Sequence, residues 1–120
     1  MSETTNPVAV VRSVLHDGKR YRDLVMWCPG CNLLHRISFA GENGDLPPVC
    51  WEFDGNITAP TVSPSLLITA RYGGEGPDGH DLRCHSFVRA GRWEFLSDCT
   101  HALAGQTVDL PPVPDWVMQR

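Results

Sequence analysis

Turn-forming residues interrupt this sequence about every ten positions, and the segments between them are rich in β-branched and aromatic residues. Such residues fit the pleated, half-buried surface of a strand. About seven or eight short strands at this spacing are typical of an all-β sandwich or barrel. We therefore predict a mainly β protein, built as a small sandwich or a partly open barrel.

The strands expected from this pattern lie at residues 8–15, 21–28, 33–39, 49–53, 66–70, 82–89, 92–96 and 106–110. Pro60 and Pro64 lack amide protons, so residues 58–65 are predicted to form an edge or crossing segment. Four glycines within residues 73–79 predict a flexible loop. A single short helical turn is expected to begin at Ser97 or Asp98 and to end at Gly105.

The length of 120 residues favours one domain. We expect residues 1–6 to be a flexible N-terminus and residues 111–120 to be an extended tail, because three prolines lie between positions 111 and 114. The net charge of −4 and the scattered basic residues disfavour a nucleic-acid partner. No apolar run approaches a membrane span, and no signal peptide is evident, so a cytoplasmic protein is expected.

Cysteines in a reducing compartment more often bind metal than form disulfides. Cys28-Pro29-Gly30-Cys31 places two thiols on one tight turn, as in a zinc knuckle. The remaining ligands would come from Cys84, His85, His35 and His101. We favour Cys84 as the third ligand, with His85 as either the fourth ligand or a catalytic neighbour. Adjacent strand residues point to opposite faces, so joint ligation by Cys84 and His85 would require a bulge.

The number of protein ligands decides what a zinc ion can do. Three ligands leave a position for a water molecule whose pKa falls to near 7, whereas four ligands make a structural crosslink. Both alternatives are open at the level of sequence.

Four side chains are candidates for catalysis: Ser65, His85, Asp98 and His101. Asp98 and His101 are spaced to share one face of a helical turn, where a carboxylate can orient an imidazole. Ser65, His85 and Asp98 offer a second arrangement of nucleophile, base and orienting group. No nucleophile elbow surrounds Ser65, however, and Ser63-Pro64-Ser65 is equally typical of a turn.

Five ordered motifs between residues 21 and 111 resemble a family of small phage-encoded proteins of unknown function that are often labelled ammonia-monooxygenase-like. They are Trp27-Cys28-Pro29-Gly30-Cys31, Trp51-Glu52-Phe53-Asp54-Gly55, the segment 59–65, Cys84-His85-Ser86-Phe87 and the segment 98–108. More distant bacterial relatives accompany ubiquitin-like conjugation operons as peptidases that trim or release the ubiquitin-like tail. That resemblance implies functional roles for Cys28, Cys31, the Pro64-Ser65 pair and His85.

The sequence thus supports two functional hypotheses. In the first, the protein is a zinc-dependent hydrolase that acts on an extended peptide tail, with zinc held by Cys28, Cys31 and Cys84 or His85. The peptide would bind by strand addition beside the loop at residues 73–79. In the second, zinc only stabilises the fold, and the protein is a non-catalytic module that binds a host protein, in the cytoplasm of a bacterium if it is phage-encoded.

Overall fold

The computed structural model describes residues 6–72 and 80–118, and for Tyr72 the backbone alone. The described elements are β1 (Ala9–His16), β2 (Lys19–Cys28), β3 (Leu33–Phe39), β4 (Glu52–Phe53), β5 (Val62–Tyr72), β6 (His80–Arg89), β7 (Arg92–Phe95), β8 (Thr107–Asp109) and α1 (Asp115–Met118). Strands β1, β2 and β3 form one antiparallel sheet, and β4 to β8 form a second. Within each sheet, strands that are consecutive in the chain pair with each other, so neither sheet needs a crossover.

Two tight hairpins set the register of the sheets. Asp17 and Gly18, with φ of 51° and 75°, connect β1 to β2 and leave His16 paired with Lys19. Ala90 and Gly91 have φ of 49° and 78° and connect β6 to β7 in the same way. Two consecutive positive φ values belong to the hairpin turn whose twist matches that of the strands.

The core lies between the two sheets, where Leu24, Met26 and Ile37 of the first sheet are buried together with Leu66 and Val88 of the second. Successive strand residues point to opposite faces. The alternating burial of β3 and β6 follows directly from this rule.

Trp93 of β7 is fully buried and connects the two sheets. Its indole N–H donates to the backbone carbonyl of Trp27 in β2 at 3.0 Å. Its ring lies parallel to that of Phe95 and edge-on to that of His35, with 5.8 Å between centroids in each pair. One side chain therefore supplies apolar burial and a polar contact across the sheet interface.

The prediction of a mainly β domain is confirmed, and the two sheets remain open rather than closing into a barrel. Most expected strands agree within a few residues, although β4 contains only Glu52 and Phe53. Pro64 lies inside β5, at an irregularity in its pairing with β6 between Val62 and Leu66. A residue without an amide proton is tolerated at such a bulge.

The expected positions of the helix and the tail were wrong. Residues 97–105 form turns without a helix, whereas α1 occupies part of the tail that was expected to be extended. Val117 of this helix is buried beside Val25 and Val113, which stabilises a short helix that has little intrinsic stability. The Asn6 amide donates to the carbonyl of Val113 at 2.9 Å, so the last residue of the expected flexible N-terminus is anchored.

The expected flexible loop at residues 73–79 and the first five residues lie outside the described residues. Within the described part of the chain, no helix has the length and apolar character needed to cross a bilayer.

Replacing Trp93 is expected to destabilise the fold strongly. Trp93→Ala should lower the free energy of unfolding by about 3–5 kcal/mol, because it leaves a cavity between the sheets and an unpaired carbonyl at Trp27. Urea denaturation measures the change. Trp116, which is 60% exposed, provides the matched control: Trp116→Ala should shift stability by no more than about 0.5 kcal/mol. Equal effects of the two substitutions would contradict the assignment of Trp93 to the core.

Candidate active site and metal centre

The Cys-X-X-Cys turn follows directly from the end of β2. The Asn32 N–H donates to the carbonyl of Cys28 at 2.8 Å, and the Cys31 N–H donates to the Cys28 sulfur at 3.4 Å. Gly30 is required because a Cβ there would collide with the ring of His101. The turn thus directs both thiols inward and packs its backbone under an imidazole.

Four side chains converge beside this turn: Cys28, Cys31, His35 and Cys84. One potential ligand atom from each lies within 4.8 Å of all the others. The Cys28 and Cys84 sulfurs are 3.9 Å apart, close to the about 3.8 Å expected for two thiolates in a tetrahedral shell with 2.3 Å zinc–sulfur bonds. Three members come from the first sheet and its turn, and Cys84 comes from β6 of the second, so a bound ion would crosslink the sheets.

His35 has the hydrogen bonding of a metal ligand. Its Nδ1 lies 3.2 Å from the carbonyl of Leu34, which fixes the proton on that nitrogen as a donor. Its Nε2 is buried and has no hydrogen-bond partner among the described residues. A buried nitrogen of this kind is costly unless something satisfies it. A metal ion held by three thiolates and Nε2 would do so, with the carbonyl of Leu34 orienting the ring.

The three thiols affect one another's protonation. A hydrogen bond from Cys84 lowers the pKa of Cys28 to about 4. Burial, together with the charge on Cys28, raises the pKa of Cys31 to about 12. The pKa of Cys84 is also raised far above its ordinary value, because its proton is held by Cys28 and the group is buried. The metal-free cluster therefore carries one thiolate and two thiols at neutral pH.

His101 contacts the same cluster from the other side. Its Nδ1 accepts a hydrogen bond from the Leu103 N–H at 3.2 Å, which leaves Nε2 as the donor, 3.4 Å from the Cys84 sulfur. Its ring also packs edge-on against Phe95. Cys84, Cys99 and His101 form a second group with metal-ligating atoms. Because Cys84 belongs to both groups and the first has four members, His101 is best described as a hydrogen-bond donor to a ligand sulfur.

A separate constellation lies on the opposite face of β6. The Ser65 hydroxyl oxygen is 3.2 Å from His85 Nε2, and His85 Nδ1 is 3.3 Å from a carboxylate oxygen of Asp98. The side chains of His85 and Asp98 are 28% and 43% exposed. Hydroxyl, imidazole and carboxylate are thus connected in the order that activates a serine nucleophile, at a position open to solvent.

Strand geometry explains why the two sites are separate. Cys84 and His85 are adjacent in β6, so Cys84 points into the core and His85 points to the outer face. In β5, Leu66 is buried and Ser65 faces outward in the same way. No bulge brings His85 to the metal cluster, because β6 pairs regularly with β5 through both residues.

Cys99 fixes the backbone of the histidine in this constellation. Its sulfur accepts from the His85 N–H at 3.2 Å and donates to the carbonyl of the same residue at 3.2 Å. Asp98, the preceding residue, is thereby held beside the imidazole. Nothing in the local sequence pattern around Cys99 indicates this contact.

The structure thus divides the residues named from the sequence between two places. Cys28, Cys31 and Cys84 lie together, whereas His85, which was considered as their fourth ligand, lies with Ser65 and Asp98. The fourth member of the cluster is His35, which the sequence offered as one of four candidates for the remaining ligands. His101, expected near Asp98 as a proton carrier, instead contacts Cys84.

Cobalt(II) substitution should identify the fourth ligand. Three thiolates and one imidazole are expected to give the intense visible bands of a tetrahedral site. His35→Ala should alter these bands and weaken metal binding at least tenfold. His85→Ala should leave the spectrum unchanged, because its side chain is on the other face of the strand. A spectrum altered by His85→Ala alone would contradict this ligand set.

Metal binding should release about two protons at pH 7, since Cys28 is already ionised whereas Cys31 and Cys84 must each lose a proton. The apparent association constant for zinc should therefore rise about 100-fold from pH 7 to pH 8. Titration calorimetry in buffers of different ionisation enthalpy counts these protons. Release of about three protons, as expected for three unperturbed thiols, would contradict the lowered pKa of Cys28.

Comparison with known proteins identifies the family. The family model described as "Bacterial ubiquitination-like system serine protease (BubE)" matches residues 2–96, which include Cys28, Cys31, Ser65, Cys84 and His85. Neither a curated protein nor a solved structure gives a match. Because the model covers more than half of the sequence, the chain belongs to the BubE family of bacterial ubiquitination-like system serine proteases.

Proposed function

We propose that this protein is a serine peptidase in which Ser65, His85 and Asp98 carry the reaction. The observation that carries the proposal is the continuous contact from the Ser65 hydroxyl through the imidazole of His85 to the carboxylate of Asp98. Distances of 3.2 and 3.3 Å are in the range found for such groups before substrate binds. The family description, which names a serine protease, supports the same assignment.

The mechanism follows from these contacts. The Ser65 oxygen attacks the carbonyl carbon of the scissile bond while His85 Nε2 takes the hydroxyl proton. Asp98 holds the proton on Nδ1 and stabilises the imidazolium that forms. His85 then gives its proton to the leaving amine, and an acyl ester remains on Ser65. Water, deprotonated by His85, hydrolyses this ester and restores the serine.

We assign the metal a structural role. The residues that would hold it are Cys28, Cys31, His35 and Cys84, and three thiolates with one imidazole form the closed four-ligand set typical of structural zinc. Such a set leaves no position for a reactive water molecule. Bound zinc would supply a crosslink between the sheets, and through Cys84 it would fix the strand that carries His85. This role differs from the zinc-bound water considered from the sequence.

The substrate is proposed to be a protein with an extended tail. The description of the family places its members in bacterial ubiquitination-like systems, and the tail of a ubiquitin-like protein is the corresponding target. Cleavage there would trim a precursor or release a conjugate. The proposed location is the cytoplasm of a bacterial cell, where thiols remain reduced and free to bind zinc.

Substitution of the serine tests the mechanism directly. Ser65→Ala should abolish covalent labelling by a fluorophosphonate probe and lower the hydrolysis of an activated ester by about 10³-fold or more, because the nucleophile is lost. Ser63, two residues earlier in β5 and exposed, provides the matched control. Ser63→Ala should retain labelling, metal content and the rate of ester hydrolysis.

The labelling and hydrolysis experiments distinguish a serine peptidase from a non-catalytic binding module and from a metal-dependent hydrolase. If the metal-loaded wild-type protein is not labelled and hydrolyses no ester, the serine mechanism fails and a non-catalytic, metal-stabilised binding module is the better description. If Ser65→Ala keeps the wild-type rate and cobalt substitution changes that rate, the metal takes part in the reaction. Zinc content measured for each variant confirms that the comparison is made between folded proteins.

A further inference from the structure

In the part of the chain that the structure describes, one side of β5 has no paired strand beyond Ser63. Strand β4 pairs with β5 only through Val62 and Ser63. Just beyond, the indole N–H of Trp51 donates to the carbonyl of Ser65 at 3.4 Å. Among the described residues, no further strand pairs with β5 on this side, although β5 itself continues to Tyr72.

The pairing with β6 shows which backbone groups face the open side. Leu67 lies opposite His85. The His85 N–H and carbonyl bond to Cys99 and Leu96, away from β5. Two residues that face each other across an antiparallel pair either exchange both hydrogen bonds or exchange none. The Leu67 N–H and carbonyl therefore point away from β6.

The same reasoning applies two residues further along. Thr69 lies opposite Arg83, whose N–H donates to the Thr100 hydroxyl at 2.9 Å and whose carbonyl accepts from the Thr100 N–H at 2.9 Å. The backbone groups of Thr69 thus also face the open side. Among the described residues, none outside β6 hydrogen-bonds to the backbone of Leu67 or Thr69.

We propose that the substrate binds as an added antiparallel or parallel strand along this open side of β5, with its backbone paired to Leu67 and Thr69 and its scissile bond at Ser65. The inference rests on the proposed function and adds the residues that bind the substrate. The open backbone groups begin two residues after the nucleophile in the same strand. A peptide paired there would run along β5 toward Ser65, whose carbonyl contacts the indole of Trp51.

The strand geometry defines the class of substrate. At about 3.3 Å per residue, Thr69 lies roughly 13 Å along the strand from Ser65. The substrate must therefore supply an extended segment of about five residues on one side of the scissile bond. Because the bonds are made to backbone, recognition tolerates many sequences and selects unfolded chain termini over folded loops. Leu67, which is 56% exposed on the same face as Ser65, offers an apolar contact to one substrate side chain.

A proline in β5 tests this binding mode. Thr69→Pro removes an N–H that faces the open side, so no hydrogen bond to β6 is lost. Ser63→Ala removes an exposed hydroxyl of β5 outside the open segment and serves as the control. Each zinc-loaded variant is incubated with a library of peptides of at least ten residues prepared by proteolysis of a bacterial proteome, and cleavage is followed by mass spectrometry. Fluorophosphonate labelling measures the state of the nucleophile independently.

We expect Thr69→Pro to lower peptide cleavage at least tenfold while labelling stays within twofold of wild type, and Ser63→Ala to preserve both. If Thr69→Pro cleaves peptides as fast as the wild-type protein does, the strand-addition proposal is overturned, whereas the serine mechanism is unaffected. Labelling without cleavage of any peptide by the wild-type protein would also overturn it. Failure of labelling in the wild-type protein would instead remove the proposed function on which the inference rests.

Two further measurements test the proposal if Thr69→Pro does not fold, or if a second copy of the chain, rather than a peptide, occupies the open side of β5. For the best peptide cleaved by the wild-type protein, N-methylation of single backbone amides should block cleavage at every second position on one side of the scissile bond, as strand pairing requires. No such alternation would overturn the proposal even if Thr69→Pro does not fold. Sedimentation should show a monomer; a dimer that Thr69→Pro dissociates would assign the open side to a second copy and overturn the proposal.

Discussion

The alternation of side chains along β6 is the constraint on which both sites depend. Cys84 points into the core and joins Cys28, Cys31 and His35 of the other sheet and its turn, while His85 points outward to Ser65 and Asp98. A single peptide bond separates a proposed metal ligand from the proposed general base. Any shift of this strand by one residue would exchange the two faces and destroy both sites together.

Because of this coupling, a metal ion bound by the cysteine cluster would support the proposed catalytic residues without contacting the substrate. The described core contains a modest number of large side chains, with Trp93 as the largest that is fully buried. Structural zinc contributes roughly 10–16 kcal/mol of apparent binding energy in small peptides, so a crosslink between the sheets would hold β6 firmly against β2. His101 and Cys99 add local contacts, one to the sulfur of Cys84 and one to the backbone of His85. The strand that carries His85 would thus be held in place from its buried face, next to the strand that carries Ser65.

Sequence reasoning found most of the strands because the pattern that defines them is local. It also named all seven side chains of the two constellations, but it distributed them differently. The sequence argued against Ser65 as a nucleophile because no nucleophile elbow surrounds it. That motif is expected only where the serine lies on a sharp strand-to-helix turn. Here the serine lies within β5, beside an irregular pairing around Pro64, so that motif had no reason to be present. The helix was misplaced because Asp115–Met118 depends on contacts of Val117 with distant residues rather than on its own propensity.

The sequence by itself determined the mainly β architecture, the inward turn of Cys28 and Cys31, and the opposite orientations of Cys84 and His85, since each follows from periodicity or turn chemistry within a few residues. The tertiary structure decided that His35 completes the cysteine cluster, that Asp98 reaches His85, and that β5 is left open beside Ser65. These relations join residues up to 56 positions apart, as in the contact between Cys28 and Cys84. They depend on how strands pair and how the two sheets pack, which local patterns do not encode.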